Sequence, residues 1–101
     1  AVAVDPGGRY RLHPNLPSPS STSTTVHFDM PPAGGRVKLS VFDPGGRRVA
    51  TLLDGLVGGG AQVARWTGID EAGRAVRSGI YLCRLEAGGF LATRKMMLLR
   101  H

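Results

Sequence analysis

One stretch of twenty residues, WTGIDEAGRAVRSGIYLCRL from Trp66 to Leu85, restricts the fold more than any other part of the chain. Trp66 closes an alternating run, Gly68 and Gly73 mark turns on either side of Asp70 and Glu71, and Ser78-Gly79 releases the chain into the apolar run Ile80-Tyr81-Leu82-Cys83. Glycine supplies the backbone conformations that tight turns need, so the stretch specifies two strands joined through turns. None of its residues forms a catalytic set. It speaks for architecture.

The rest of the chain repeats the theme at short intervals. Thr24 to Met30 alternates, with Val26, Phe28 and Met30 on one face and Thr25, His27 and Asp29 on the other. Pro31 to Gly35 turns the chain, and Arg36 to Asp43 buries Val37, Leu39 and Val41, leaving Lys38 and Ser40 outward with Phe42 as a lone exception. The turn Asp43-Pro44-Gly45-Gly46 feeds a second hairpin arm, Arg47 to Leu53, and a Gly-rich loop from Asp54 to Gly60 leads into Ala61 to Trp66. A last hairpin runs Gly79 to Leu85, turn Glu86 to Gly89, then Phe90 to Arg100. Strands at this spacing predict an all-β antiparallel sandwich or barrel over residues 24–101. Ile80 and Leu82 oppose Tyr81, Cys83 and Leu85, which predicts either a central strand or a face covered by a partner.

Residues 1–23 read differently. Ala1-Val2-Ala3-Val4 is strand-like, Tyr10 to Leu12 is a brief apolar run, and Pro14 to Ser23 is a Pro/Ser-rich strap too polar to pack a core. The pentapeptide DPGGR occurs at 5–9 and 43–47 between different flanks, which fits recurrence of a good turn sequence. At 101 residues the chain holds one domain, and 15 Gly and 7 Pro beside 42% apolar residues favour a turn-rich β domain over disorder.

The formal charge is +6, and 11 of the 13 basic residues are Arg. This balance favours anionic partners in general, but apart from the adjacent Arg47-Arg48 the arginines are scattered singly and no basic cluster is interleaved with aromatics, so specific nucleic-acid binding is not expected. Cys83 is the sole cysteine, so no intrachain disulfide can form, and its place in the most apolar strand predicts a small buried hydrophobe. No apolar run reaches the ~18 residues of a transmembrane helix. The N-terminus AVAVDPGGR lacks the regions of a signal peptide, so an exported protein would have lost its leader or be part of a longer precursor.

Hydrolase, nucleotide-binding and zinc motifs such as G-x-S-x-G, G-x-x-x-x-G-K-[ST], H-E-x-x-H and C-x-x-C do not occur. His13, His27 and His101 fall in separate contexts with no metal-ligand spacing. Asp43, Asp54, Asp70 and Glu71 are turn carboxylates that either offer oxygens to calcium or cap nearby backbone N–H groups; their spacing matches no EF-hand loop. Trp66 and Tyr81 read as core residues with polar tips. The expectation is a non-enzymatic protein with no cofactor.

From about Tyr10 to Arg100 the chain resembles the C-terminal sorting domains of the type IX secretion system and the related Ig-like domain of the flagellar hook-capping protein. The carriers are HPN at 13–15 with the Pro/Ser segment, STTVHFDMP at 23–31, VKLSVFDPGGRRVATLLDG at 37–55, WTGIDEAGRAVRSGIYLCRL at 66–85 and TRKMMLLR at 93–100. The resemblance departs in the Pro/Ser segment, where the family's Phe-Asn pair is absent, and at His101, which extends the tail.

That resemblance implies an Ig-like antiparallel sandwich of about seven strands, extracellular or at the cell surface, whose partner is the secretion translocon or cell-surface machinery. It places sorting or docking on Gly79 and Tyr81 and on Lys95, Met96, Met97, Leu98, Leu99 and Arg100. A physical alternative stands beside it. Ala1, Val2, Ala3 and Val4, tethered by the strap, would pair with an open strand edge of a neighbour and build a homo-polymeric fibre or cap.

Overall fold

The computed structural model describes residues 10–14 and 23–99. Seven strands follow one another: β1 Arg11–Leu12, β2 Thr24–Met30, β3 Gly35–Phe42, β4 Arg48–Val57, β5 Gly60–Trp66, β6 Gly79–Ala87 and β7 Phe90–Leu98. They form two antiparallel sheets, ordered β1-β2-β5 and β4-β3-β6-β7. The expected all-β sandwich of seven strands is the observed one, and no helix occurs among the described residues.

Strand alternation builds the core. Val26, Phe28 and Met30 of β2 face Val37, Leu39 and Val41 of β3 and Tyr81, Cys83 and Leu85 of β6 in one buried cluster. Ser40 points outward by parity and is still 3% exposed, because Thr51 and Arg84 flank it in register on both sides of this central strand. Register shifts between β3 and β4 break strict alternation in β4, so the neighbours Val49 and Ala50 are both buried.

Two elements are longer than the sequence predicts. β4 does not stop at Leu53 but runs to Val57, and the loop shrinks to Gly58 and Gly59. Its partner β3 starts at Gly35, so residues 54–57 have ladder partners from Lys38 back to Gly35, and satisfying those backbone groups outweighs the poor strand propensity of Gly55. Likewise β6 continues through Glu86 to Ala87, leaving a two-residue turn at Gly88-Gly89. Both glycines have positive φ, 50° and 85°, as a type I′ hairpin turn requires.

β1 belongs to one sheet and touches the other. The His13 N–H donates to the His27 carbonyl at 2.9 Å, extending the pairing with β2. Tyr10 stacks on Phe90 at the start of β7, with ring centroids 5.3 Å apart, and Arg94 Nε of β7 donates to the Leu12 carbonyl at 3.0 Å. The segment closes the sandwich along the β7 side.

At Gly34 the turn between β2 and β3 demands glycine twice over. Its φ is 68°, and a Cβ there would collide with the backbone carbonyl of Val57. Gly34→Ala is expected to lower the unfolding free energy by about 1–3 kcal/mol, measured by urea denaturation. A variant as stable as the parent would show that this turn shifts freely against β4.

Candidate functional site

The stretch from Trp66 to Leu85 folds as a strand end, a small pinned loop and a strand start. Within the loop, Ile69 and Ala75 form an isolated antiparallel bridge, Val76 N–H donates to the Gly68 carbonyl, and Gly73 N–H closes the turn on Asp70. Asp70 Oδ1 accepts from the N–H groups of Ala72 and Arg74, both at 2.9 Å. Two aromatic tips hold this loop to the core: Trp66 Nε1 donates to the Ile69 carbonyl at 3.0 Å, and Tyr81 Oη donates to the Arg77 carbonyl at 2.6 Å. The rings meet edge to face, 5.3 Å between centroids.

Every turn carboxylate of this pole has work within the fold. Asp43 Oδ1 accepts the Arg47 N–H, and Glu71 Oε1 accepts from Arg48 Nε at 2.9 Å. They line an open cleft of about 690 Å³ together with Val49, Val76, Arg77 and Tyr81. Asp54 lies elsewhere, in β4 opposite Lys38. No group of three or more His, Cys, Asp or Glu side chains able to hold a metal ion occurs among the described residues. His13 Nε2 meets Asp29 Oδ2 at 2.9 Å, and His27 is exposed on the outer face of the three-stranded sheet.

The residues assigned to sorting or docking come together at one end of the β6–β7 hairpin. Gly79 pairs with Leu98, Ile80 with Met97, Tyr81 with Met96 and Leu82 with Lys95. Strand alternation then divides them by face. Tyr81, Met96 and Leu98 point into the core, at 8%, 2% and 1% exposure, while Lys95 and Met97 point to solvent and Leu99 beyond them is exposed. Gly79 has φ 155°, outside the range that L side chains adopt readily. Arg100 and the strand-exchange residues Ala1 to Val4 lie outside the described residues.

The register adds three residues to this surface. On the outer face Ile80 stands opposite Met97, and Leu82, two residues along β6, stands opposite Phe42 of β3. Phe42 is the apparent exception noted in the sequence; on the outer parity of β3 it joins this patch, with the Arg84 guanidinium 4.6 Å above its ring. The outward row Ile80 and Leu82 was visible in the sequence, but its neighbours were not, because they come from strands distant along the chain.

Cys83 faces the core between Tyr81 and Leu85 and is 1% exposed. Burial disfavours the thiolate and pushes its pKa up from 9.0 to about 12. The folded pKa exceeds the unfolded one, so the thiol's contribution to stability is full below about pH 9 and is lost as pH rises toward 12. Thiol labelling of the native protein at pH 8 is expected to proceed only as fast as unfolding, and Cys83→Ala should remove its part of the alkaline decline; rapid labelling would show an accessible thiol.

The chain matches no protein-family model and no curated protein. Among solved structures it is similar to dimeric latent PorU from Porphyromonas gingivalis, with a TM-score of 0.68 and 20% identity over 92% of this chain. Two sheets ordered β1-β2-β5 and β4-β3-β6-β7, and a tyrosine near the start of β6 bonded to a backbone carbonyl just upstream, are the marks of one architecture. This is an Ig-like sandwich. The Ig-like chain spans only 9% of the PorU chain, and the likeness is one of fold. Tyr81, two residues before Cys83, sits where the tyrosine corner of such sandwiches does, so its place in the Gly-x-Tyr pattern has a structural cause.

Proposed function

We propose that this domain is a non-enzymatic Ig-like module of an exported protein, acting in secretion sorting or cell-surface attachment through the outer face of its terminal hairpin. The observation that carries the reading is the alternation along the last strand: Lys95, Met97 and Leu99 stand exposed in a row, while Met96 and Leu98 anchor that row to the core. Exposed apolar side chains grouped on one face, with a polar border, are the kind of surface that serves as an interaction site. The order of sequence motifs, which resembles that of type IX sorting domains, supports the assignment to export. The similar fold within a PorU chain about ten times longer fits a module carried by a larger protein.

The carboxylates around the cleft are occupied with turn N–H groups and with Arg48, and Cys83 is a buried neutral thiol.

The test is a fusion. Residues 1–101 placed at the C-terminus of a passenger, in a bacterium with a type IX system, are expected to bring it to the cell surface. A passenger that stays in the periplasm while the attached domain is folded would overturn the reading.

A further inference from the structure

We propose that the outer face of the four-stranded sheet, at the pole where β7 ends, docks an acidic amphipathic segment of a partner protein. Phe42 opposite Leu82 and Ile80 opposite Met97, with Ile80 and Leu82 two apart on β6, make one contiguous apolar patch. Side chains directly opposite on one face have Cβ atoms ~4.5–5.5 Å apart, so Phe42 meets Leu82 and Ile80 meets Met97, and the two pairs are neighbours along β6. Ile80 and Met97 each remain 41% exposed within it. Single exposed apolar residues are ordinary on a protein surface, whereas contiguous ones rimmed by polar residues are the kind that partners use.

The border of the patch selects the occupant. Lys95 stands opposite Leu82 and has no ion-pair partner among the described residues, and the Arg84 guanidinium lies over Phe42. Arg48, opposite Phe42, has its charge answered by Glu71. Glu86 is further along β6, opposite Leu91, and reaches back to Arg84 at 3.8 Å. With Arg48 and Arg84 each answered by a carboxylate, the unanswered charge at this border is the positive one of Lys95. Apolar residues flanked by Asp or Glu satisfy both the burial and the charge it offers.

Two other occupants fit less well. A second copy using the same face about a two-fold axis would bring two unanswered Lys95 charges into one interface. A bilayer takes up apolar groups that penetrate by ~5–10 Å, whereas this patch lies on the flat of a sheet.

The inference rests on the proposed reading of the domain as a docking module, and it is tested in solution. The isotope-labelled 101-residue chain is titrated with a helical peptide of about 18 residues carrying one leucine face bordered by glutamates, with its lysine-for-glutamate twin, and with phosphatidylglycerol vesicles. Saturable amide shifts centred on Ile80, Leu82, Lys95 and Met97 are expected with the acidic peptide. Joint Ile80→Glu and Met97→Glu should weaken that binding at least roughly tenfold, and Lys95→Glu should move the preference toward the lysine twin. These side chains are exposed, so the parental melting temperature serves as the control for folding. Equal binding of both peptides, unchanged binding by the variants, or engagement of this face only by vesicles or by a second copy in sedimentation would each overturn the proposal. A passenger still brought to the surface by the Ile80/Met97 double variant would reject this face, also as the route of attachment, and leave only the assignment of the domain to sorting standing. Failure of the parental fusion alone would do the reverse.

Discussion

Deleting residues 95–101 is expected to unfold the domain. The deletion removes the last four rungs of the β6–β7 ladder, from Leu82–Lys95 to Gly79–Leu98, and with them two core side chains, Met96 and Leu98. Truncating one such residue to alanine costs about 2–5 kcal/mol, and a whole domain is stable by only about 5–15 kcal/mol. Two such losses, together with backbone groups of β6 stripped of their partners, consume most or all of that margin. Circular dichroism and urea titration should find no cooperative transition in the shortened protein. A transition at the parental midpoint would show that β7 contributes little to the core.

This expectation changes how a sorting signal is sought here. Loss of export after removing the tail would follow from unfolding alone, whatever the tail signals. Lys95→Glu and Met97→Glu alter the exposed row while Met96 and Leu98 stay in place. Surface changes of this kind away from caps and cores usually move stability by no more than about 0.5 kcal/mol, so an export defect in them reports recognition.

Sequence periodicity was a good guide wherever one strand alone decides the outcome. Val26, Phe28 and Met30 had to share a face once residues 24–30 became a strand, and so did Val37, Leu39 and Val41. It failed where a second strand decides. The extension of β4 to Val57 depends on unpaired ladder groups of β3, which no local signal in DGLVGGG reveals. The apolar stretch from Met96 to Leu99 reads as a single unit along the chain, yet its members serve opposite faces of the sheet. Phe42 is a clear break in alternation, but its neighbours Leu82 and Ile80 are supplied by the β3–β6 register, some 40 positions away. The bridge from Ile69 to Ala75 was hidden for another reason: two turns of ordinary composition gave no sign that the loop between them folds back on itself.

Trp66→Ala is expected to lower stability by about 3–5 kcal/mol, through the cavity left at a site 3% exposed and the lost edge contact with Tyr81. The indole also holds the loop. Its N–H donates to the Ile69 carbonyl, the residue that bridges to Ala75, while Glu71 N–H donates to the Val49 carbonyl a few residues away. Trp66→Phe separates the two roles, since the smaller ring keeps most of the packing but leaves the Ile69 carbonyl without its donor, a loss of about 1–3 kcal/mol when such a group is buried. These costs would not add simply to that of removing the Tyr81 hydroxyl, because both rings support the same loop. Urea denaturation should therefore rank the parent above Trp66→Phe and that variant above Trp66→Ala. In Trp66→Phe, hydrogen exchange should quicken at the amides of Asp70, Glu71 and Val76 more than in β3 or β6, since local opening of the loop needs less free energy than global unfolding. Unchanged protection at those three amides would mean that Tyr81 and the Glu71–Val49 bond hold the loop without the indole, and that Trp66 matters to this fold only by its volume.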